Sequence, residues 1–145
     1  MFLGEYECKV DVKGRIILPS NLKIQLPEEE KGKFVVNRGF EQCLVLYPFN
    51  EWLKLSSKIN SLNFFNKKNR DFARYFFRGA TELNMDNNNR ILIPKNLTGY
   101  AKISMETVLF AYNHKVEIWD KKTYNDLLNA EPEDFSTLAE EVMGG

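Results

Sequence analysis

Two short motifs of the form Asp-x-x-x-Arg carry the residue types best suited to binding a nucleic acid. The first runs from Asp11 to Arg15 and the second from Asp86 to Arg90, and each is followed by three aliphatic residues and a proline. The aspartate can accept hydrogen bonds from turn amides and hold a tight loop closed. The arginine then begins a strand, and its planar guanidinium suits phosphate oxygens or the paired acceptors of guanine in the major groove.

The same spacing supports a structural interpretation, in which each aspartate simply pairs with the arginine of its own motif; spacing alone leaves both interpretations open. Lys13 favours DNA contact for the first motif, because it adds a positive charge at the turn tip. The second motif has Asn87, Asn88 and Asn89 there, which can hydrogen-bond to DNA but carry no charge, so its contacts are expected to be weaker. Lys9, just before the first motif, is a further candidate DNA contact.

The two motifs lie at the centre of an internal repeat. Residues 4–22 align with residues 79–97 at a constant offset of 75, and residues 43–52 resemble residues 115–124 at an offset of 72. Each copy spans about seventy residues, a size at which burial of apolar surface is limited, so we expect the copies to share one core.

The repeat predicts a division of the chain into four parts. They are a first repeat at residues 1–52, linking helices at 53–76, a second repeat at 77–124, and a C-terminal helix with an acidic tail at 125–145.

Charge is distributed unevenly along a chain whose net charge is zero. Residues 131–145 contain five acidic residues and no basic residue, so the rest of the chain has an excess of five positive charges. Residues 67–78 alone hold five basic residues and one acidic residue. A basic face for nucleic acid is therefore compatible with the neutral total.

The hydrophobic pattern predicts a β-rich chain with short helices. Predicted strands cover residues 5–10, 15–18, 34–37, 44–47, 83–85, 90–93, 108–112 and 116–119, and predicted helical turns cover 21–26 and 96–101. Longer helices are predicted on the apolar stripe Trp52–Leu62, at 67–78 with Asn66 as its cap, and at 121–129 with Asp120 as its cap. Gly14 aligns with Asn89, and both residue types tolerate positive φ, which predicts the same turn twice.

The tail after Pro132 is predicted to form a short amphipathic helix with Phe135, Leu138 and Val142 on its apolar face. Two interpretations of this face stay open. It packs on the protein's own core, or it binds a partner.

Several classes of protein are disfavoured by what the sequence contains. No apolar run approaches the length of a membrane span, and the first residues do not have the pattern of a secretory signal. Cys8 and Cys43 lack metal-ligand spacing, so no metal or other cofactor is expected and both thiols are interpreted as reduced residues of a cytoplasmic protein. No glycine-rich phosphate loop and no nucleophile with a histidine partner are present, so we expect no catalysis and no small-molecule substrate.

The motifs occur within stretches that resemble a known family. MFLGEYECKVDVKGRIILP, VNRGFEQCLVLYPFNEW, FFRGATELNMDNNNRILIP and VEIWDKKTY are similar to the MraZ family of bacterial transcriptional regulators, which are built from two SpoVT-AbrB-type units. The resemblance covers residues 1–130. One departure is Asn89, where many members of the family have glycine.

Membership would imply an α+β, β-rich fold: a pseudo-twofold, swapped-hairpin (double-ψ, AbrB-like) β-barrel made within one chain, with peripheral helices. It would also imply ring-shaped homo-oligomers that bind tandem short repeats in double-stranded DNA upstream of the division and cell-wall gene cluster, as a nucleoid-associated repressor. The resemblance assigns Arg15 and Arg90 to DNA contact, with Asp11, Gly14 and Asp86 stabilising the turns.

The leading hypothesis is therefore a non-catalytic, sequence-specific DNA-binding regulator. The alternative is a non-catalytic interaction ring whose basic hairpins bind acidic protein partners. Salt-dependent binding to duplex DNA separates the two.

Overall fold

The computed structural model describes residues 1–26, 32–128 and 134–144, and shows a mixed α+β protein rich in antiparallel strands. Its strands are β1 (Phe2–Lys9), β2 (Arg15–Ile17), β3 (Lys33–Arg38), β4 (Leu44–Pro48), β5 (Thr81–Asn84), β6 (Arg90–Leu92), β7 (Glu106–Asn113) and β8 (Lys115–Asp120). Its helices are α1 (Ser20–Lys23), α2 (Phe49–Asn60), α3 (Lys67–Phe77), α4 (Lys95–Tyr100), α5 (Lys121–Leu128) and α6 (Phe135–Met143).

Six strands form one antiparallel sheet in the order β1-β7-β8-β4-β3-β5, and β2 and β6 form a separate two-stranded ribbon. A single bridge between Val10 and Ile16 connects the end of β1 to the ribbon. Within the described ranges the hydrogen-bonded ladders therefore make two sheets. The closed swapped-hairpin barrel that the family resemblance implied is not confirmed by them.

A pseudo-twofold axis relates the two repeats and passes through both sheets. In the ribbon, Ile16 lies directly opposite Ile91, its own counterpart at the offset of 75. In the large sheet, Val45 of β4 lies opposite Glu117 of β8, again its own counterpart, now at the offset of 72. Replacing each strand of the large sheet by its counterpart in the other repeat gives the same strand order, now running from the opposite edge.

One hydrophobic core lies between the ribbon and the large sheet. The buried side chains of the ribbon region are Ile16, Leu18, Ile91 and Ile93, and those of the sheet include Phe34, Val36, Leu46, Leu109 and Ile118. Leu22 of α1 and Leu97 of α4, at 1% and 0% exposure, close this core from the two helical turns. Both repeats thus contribute to one core, as expected for units too small to bury enough apolar surface alone.

The longer helices lie at the periphery of the large sheet. Trp52 of α2 is buried and stacks on Phe76 of α3, with ring centroids 5.7 Å apart. The Asn66 side chain accepts hydrogen bonds from the first amides of α3, which confirms the predicted cap. Helix α5 packs on the strands of the second repeat, β7 and β8, where Tyr124 contacts the buried Trp119.

Helix α6 forms where the amphipathic pattern placed it, and Asp134 caps its start. The interpretation that it packs on its own core is wrong, because no residue of α6 is buried.

The other predicted elements are present with modest changes in their ends. The first strand begins at Phe2 rather than Glu5, because β1 pairs with β7 along its whole length. Met85 lies beyond the end of β5, although its amide still donates to the Gly32 carbonyl at 2.8 Å. The acidic residues Glu28–Glu30, where the difference between the two repeat offsets suggests an insertion in the first copy, lie outside the described residues. No described helix combines the length and the apolar character needed to cross a bilayer.

Candidate nucleic-acid interface

The first motif forms a three-residue hairpin loop between Asp11 and Arg15. The Asp11 amide donates to the Arg15 carbonyl at 3.0 Å, and the Gly14 amide donates back to the Asp11 carbonyl at 3.0 Å. Gly14 has φ +90°, so the loop is a turn closed by a residue in the left-handed region. Oδ1 of Asp11 also accepts from the amides of Lys13 and Arg15, both at 2.9 Å.

The second motif repeats this loop with the same hydrogen bonds. The Asp86 amide donates to the Arg90 carbonyl at 2.9 Å, and the Asn89 amide donates to the Asp86 carbonyl at 3.0 Å. Oδ1 of Asp86 accepts from the amides of Asn88 and Arg90 at 2.9 Å. Asn89 has φ +61°, which confirms the prediction that glycine and asparagine serve the same turn geometry in the two copies.

The β2–β6 ribbon joins the two loops into one rigid unit. Beyond the ladder itself, Leu18 donates its amide to the Asn89 carbonyl, and Ile93 donates its amide to the Gly14 carbonyl, both at 2.9 Å. The positive-φ residue of each loop is therefore hydrogen-bonded to the chain segment that follows the other loop. These two hydrogen bonds and the ladder between β2 and β6 hold the two motifs next to each other.

One face of the ribbon is buried and the other carries both arginines. Strand alternation puts Ile16 and Ile91, both at 0% exposure, on the core side. Arg15 is opposite Leu92 and Arg90 is opposite Ile17 in the ladder, so the arginines are diagonal neighbours, with Cα atoms roughly 7–8 Å apart by antiparallel geometry.

The two aliphatic residues on the outer face are exposed to solvent. Ile17 is 62% and Leu92 is 54% exposed. The sequence analysis treated each aliphatic triplet as one unit and did not single out these two residues as exposed. Alternate residues of a strand lie on the same face, so Ile17 and Leu92, each two positions after an arginine, could have been predicted to share the outer face with the arginines.

Each guanidinium is paired with the aspartate of its own motif through Nε. The Nε–Oδ2 distance is 2.7 Å for Arg15 and Asp11 and 2.8 Å for Arg90 and Asp86. The arginine side chains keep 28% and 27% exposure. The ion pairs of the structural interpretation are thus present in both motifs. Both arginine side chains nevertheless remain partly exposed to solvent. Because Nε is engaged, the outer Nη edge of each fork is the edge that is left for a ligand.

The turn hydrogen bonds also fix the charge of both aspartates. The pKa of Asp11 is lowered below its ordinary value of 3.8, first by the backbone amide of Arg15 and further by the Arg15 guanidinium and the Lys13 amide. Asp86 has a lowered pKa for the same reasons, with Asn88 in the place of Lys13. Both carboxylates are therefore ionised at neutral pH and hold their arginines in one orientation.

Of the remaining residues that were predicted to contact DNA, three lie in or next to the loop tips and one lies outside the ribbon. Lys13 and Asn88 are exposed at the two loop tips, and Asn89 is half-buried behind its tip. Lys9 is exposed but lies outside the ribbon, at the end of β1, where it pairs across the ladder with Glu106. The ribbon thus brings together every predicted site residue except Lys9.

Ligands for a metal are not gathered in the described ranges, which contain no group of three or more His, Cys, Asp or Glu side chains placed to hold an ion. Cys8 and Cys43 are both free thiols. Burial raises the pKa of Cys8 to about 11 and that of Cys43 to about 12, with the Glu117 and Glu41 carboxylates adding to the second shift. Both thiols are therefore neutral and weakly nucleophilic near pH 7.

Comparison with known proteins gives one consistent result. The family model for the MraZ protein, described as antitoxin-like, matches residues 1–75 and again residues 76–144. A protein of Christiangramia forsetii is 50% identical over 143 residues, covering 98% of this chain and 92% of the relative. Proteins of Cytophaga hutchinsonii and Flavobacterium psychrophilum are 42% and 46% identical, each over 98% of this chain and over 94% and 91% of their own lengths. All three are named "Transcriptional regulator MraZ".

Proposed function

Because this chain belongs to the MraZ family, we propose that it is a sequence-specific DNA-binding transcriptional regulator whose DNA contact surface is the outer face of the β2–β6 ribbon. The observation that supports this most is the ribbon itself. It places two preoriented arginines and two exposed loop tips on one rigid, solvent-facing surface.

The dimensions and chemistry of this surface suit the major groove. A two-stranded ribbon enters a groove about 12 Å wide, and arginine is the side chain that most often reads guanine O6 and N7. Arg15 and Arg90 would present their Nη edges, since Nε is already engaged. Ile17 and Leu92 between them offer apolar contact of the kind that recognises a thymine methyl group.

The two tips are not equivalent. The first tip has the ammonium group of Lys13, whereas the second has the uncharged amide of Asn88. Affinity for DNA follows the number of phosphates neutralised, so we assign the stronger contact to the first tip. Lys9, paired across the ladder with Glu106, is at most an accessory phosphate contact.

A chain whose net charge is zero binds DNA weakly by itself, because affinity follows the number of phosphates neutralised. We therefore propose that it works as a ring-shaped homo-oligomer on tandem short repeats, where each further contact becomes intramolecular. In this proposal it represses the division and cell-wall gene cluster, in the cytoplasm and at the nucleoid.

Two proposals concern the fold. The first is the swapped-hairpin barrel, which the shared core and the Val10–Ile16 bridge support. The second is the division of the chain into residues 1–52, 53–76, 77–124 and 125–145.

The test is binding to the DNA upstream of the protein's own gene, by footprinting and by gel shift over a range of salt concentrations. We expect regularly spaced protections. Arg15→Ala should abolish specific binding, because a bidentate base contact is worth about 1–3 kcal/mol and the loss recurs in every subunit. Arg90→Ala should weaken binding less. Light scattering should show an unchanged oligomer for both variants.

Arg74→Ala is the matched control. Arg74 forms an ion pair with an aspartate three residues away but lies on α3, outside the ribbon. Equal loss of binding in Arg15→Ala and Arg74→Ala would show that only overall charge matters and would refute the assignment. Binding to polyglutamate as tight as binding to DNA would favour the acidic-partner alternative, and loss of the oligomer in Arg15→Ala would favour a purely structural motif.

A further inference from the structure

Helix α6 exposes an apolar face that its own chain leaves uncovered. Phe135, Leu138 and Val142 follow helical spacing on one side and are 74%, 42% and 72% exposed. The same helix carries Glu140 and Glu141 and no basic residue. It is a short, acidic, amphipathic helix without a partner among the described residues of its own chain.

A groove of matching character lies between α2, α3 and the turn from β7 to β8, with a volume of about 550 Å³. Its apolar lining is Phe40, Tyr47, Leu55, Ile59, Phe72 and Phe76. A second hollow of about 270 Å³ shares Phe40, Phe72 and Phe76 and extends the groove toward Arg38. Phe40 is 84% and Phe72 is 40% exposed, so the α6 of the same chain does not cover the groove.

The rim of the groove is basic. Lys54, Lys58 and Lys115 line it against one acidic residue, Glu51, which already pairs with Lys54 at 3.2 Å. Lys115 lies over the ring of Tyr112, 5.1 Å from its centroid, which keeps the ammonium group beside the groove. The apolar floor of the groove is complementary to the apolar face of α6, and its positive rim is complementary to the negative flank of that helix.

We propose that α6 of one copy of this chain docks in the groove of a second copy, with its apolar face on the phenylalanines and Glu141, on the flank of that face, toward Lys54 and Lys58. The inference rests on the oligomer of the proposed function and names the contact that builds it. Helix-in-groove docking needs an amphipathic helix and a complementary hydrophobic cleft, and both are present. A helix and a groove at different places on one chain make a heterologous contact, which propagates head to tail and closes into a ring when the rotation between successive copies allows it.

Two single substitutions separate the two halves of this contact. Leu138→Asp places a charge on the apolar face of α6, and Phe40→Asp places one on the groove floor; both side chains are exposed, so neither change disturbs the core. The matched controls are Ser136→Asp, on the other side of α6, and Phe65→Asp, at a 97% exposed phenylalanine outside the groove.

Sedimentation of the full chain measures the outcome. We expect the wild type and both controls to sediment as the same multi-subunit species. Leu138→Asp and Phe40→Asp should each sediment as a single chain of 17.0 kDa.

Mixing the two defective variants tests whether the contact is between copies. The Leu138→Asp protein keeps its groove and the Phe40→Asp protein keeps its helix, so an equimolar mixture should form pairs of twice the single-chain mass and nothing larger. Variants that stay single when mixed would overturn the proposal, because the contact would then lie within one chain or nowhere. Unchanged assembly in both variants, or a wild type that is a single chain, would overturn it as well.

DNA binding measured on the same samples separates this inference from the proposed function. Assembly that responds to the variants as expected, in a protein that binds no DNA, would support the docking and refute the DNA-binding function. Cooperative DNA binding that persists with unchanged assembly in Phe40→Asp would refute the docking alone.

Discussion

The left-handed turn residue gives the most direct test of how the motif is built, and Gly14→Ala is the substitution to make. Gly14 has φ +90°, and a Cβ added there would lie 3.2 Å from the Ile93 carbonyl oxygen, on the strand that leaves the other loop. The left-handed region costs a residue such as alanine about 1–2 kcal/mol. Reduced freedom of the unfolded chain offsets about 0.4–1 kcal/mol of this.

The net expected loss is about 1 kcal/mol in the free energy of unfolding, or roughly 2–4 °C in Tm for a chain of this size. Gly14→Asn is the control that the protein itself supplies, since Asn89 occupies the equivalent position at φ +61°. We expect it to lose less than half as much in a calorimetric melt. Asn89→Ala should repeat the loss seen for Gly14→Ala. Equal Tm values for Gly14→Ala and Gly14→Asn would refute the argument that positive φ selects these residues.

Three further predictions concern the core, the turn aspartates and the thiols. Ile91→Ala should lower the free energy of unfolding by about 2–5 kcal/mol and Ile91→Val by about 0.5–1.5 kcal/mol, because Ile91 is fully buried on the pseudo-twofold axis; equal losses in urea titrations would contradict tight packing there. Asp11 and Asp86 have pKa values lowered below 3.8, so their stabilisation is complete above that pH and is lost as pH falls through the folded values. The Tm difference between the wild type and the double variant Asp11→Asn, Asp86→Asn should therefore shrink in acid. A difference that grows as the pH falls would contradict the lowered pKa values of the two aspartates. Cys43, with a pKa of about 12, should react with a thiol reagent at neutral pH only after unfolding, and rapid labelling of the native protein would contradict its burial.

The local geometry of the motif could be predicted from the sequence because the hydrogen bonds and the ion pair that close each loop join residues no more than four positions apart. The Asp11 carboxylate, the turn amides and Arg15 are close in the chain, and the repeat supplied an independent second copy with the same outcome. Membership of the MraZ family was likewise predicted from the quoted stretches and is confirmed. So is the prediction of a transcriptional regulator rather than an enzyme, since the relatives carry that name.

Features that depend on distant packing could not be predicted in the same way. The pairing of β4 with β8 joins residues some seventy positions apart, and nothing local in either strand specifies its neighbour. The exposure of the α6 apolar face could not be decided from the sequence, because amphipathic spacing indicates that a face needs to be buried and does not indicate what buries it. The prediction that Arg15 and Arg90 contact DNA remains a prediction.

Because the two loop tips differ, each protomer would have a defined orientation along a DNA duplex. A ribbon with perfect twofold symmetry would sit equally well on a duplex in either orientation and would be matched by a palindrome. Here one end carries an ammonium group at Lys13 and the other only the amide of Asn88. In the proposed complex with DNA, rotation by half a turn would therefore bring unlike groups to the same phosphates. Protomers arranged head to tail would therefore all point the same way along a promoter, and the sequence they match would be a directional series of copies rather than an inverted pair.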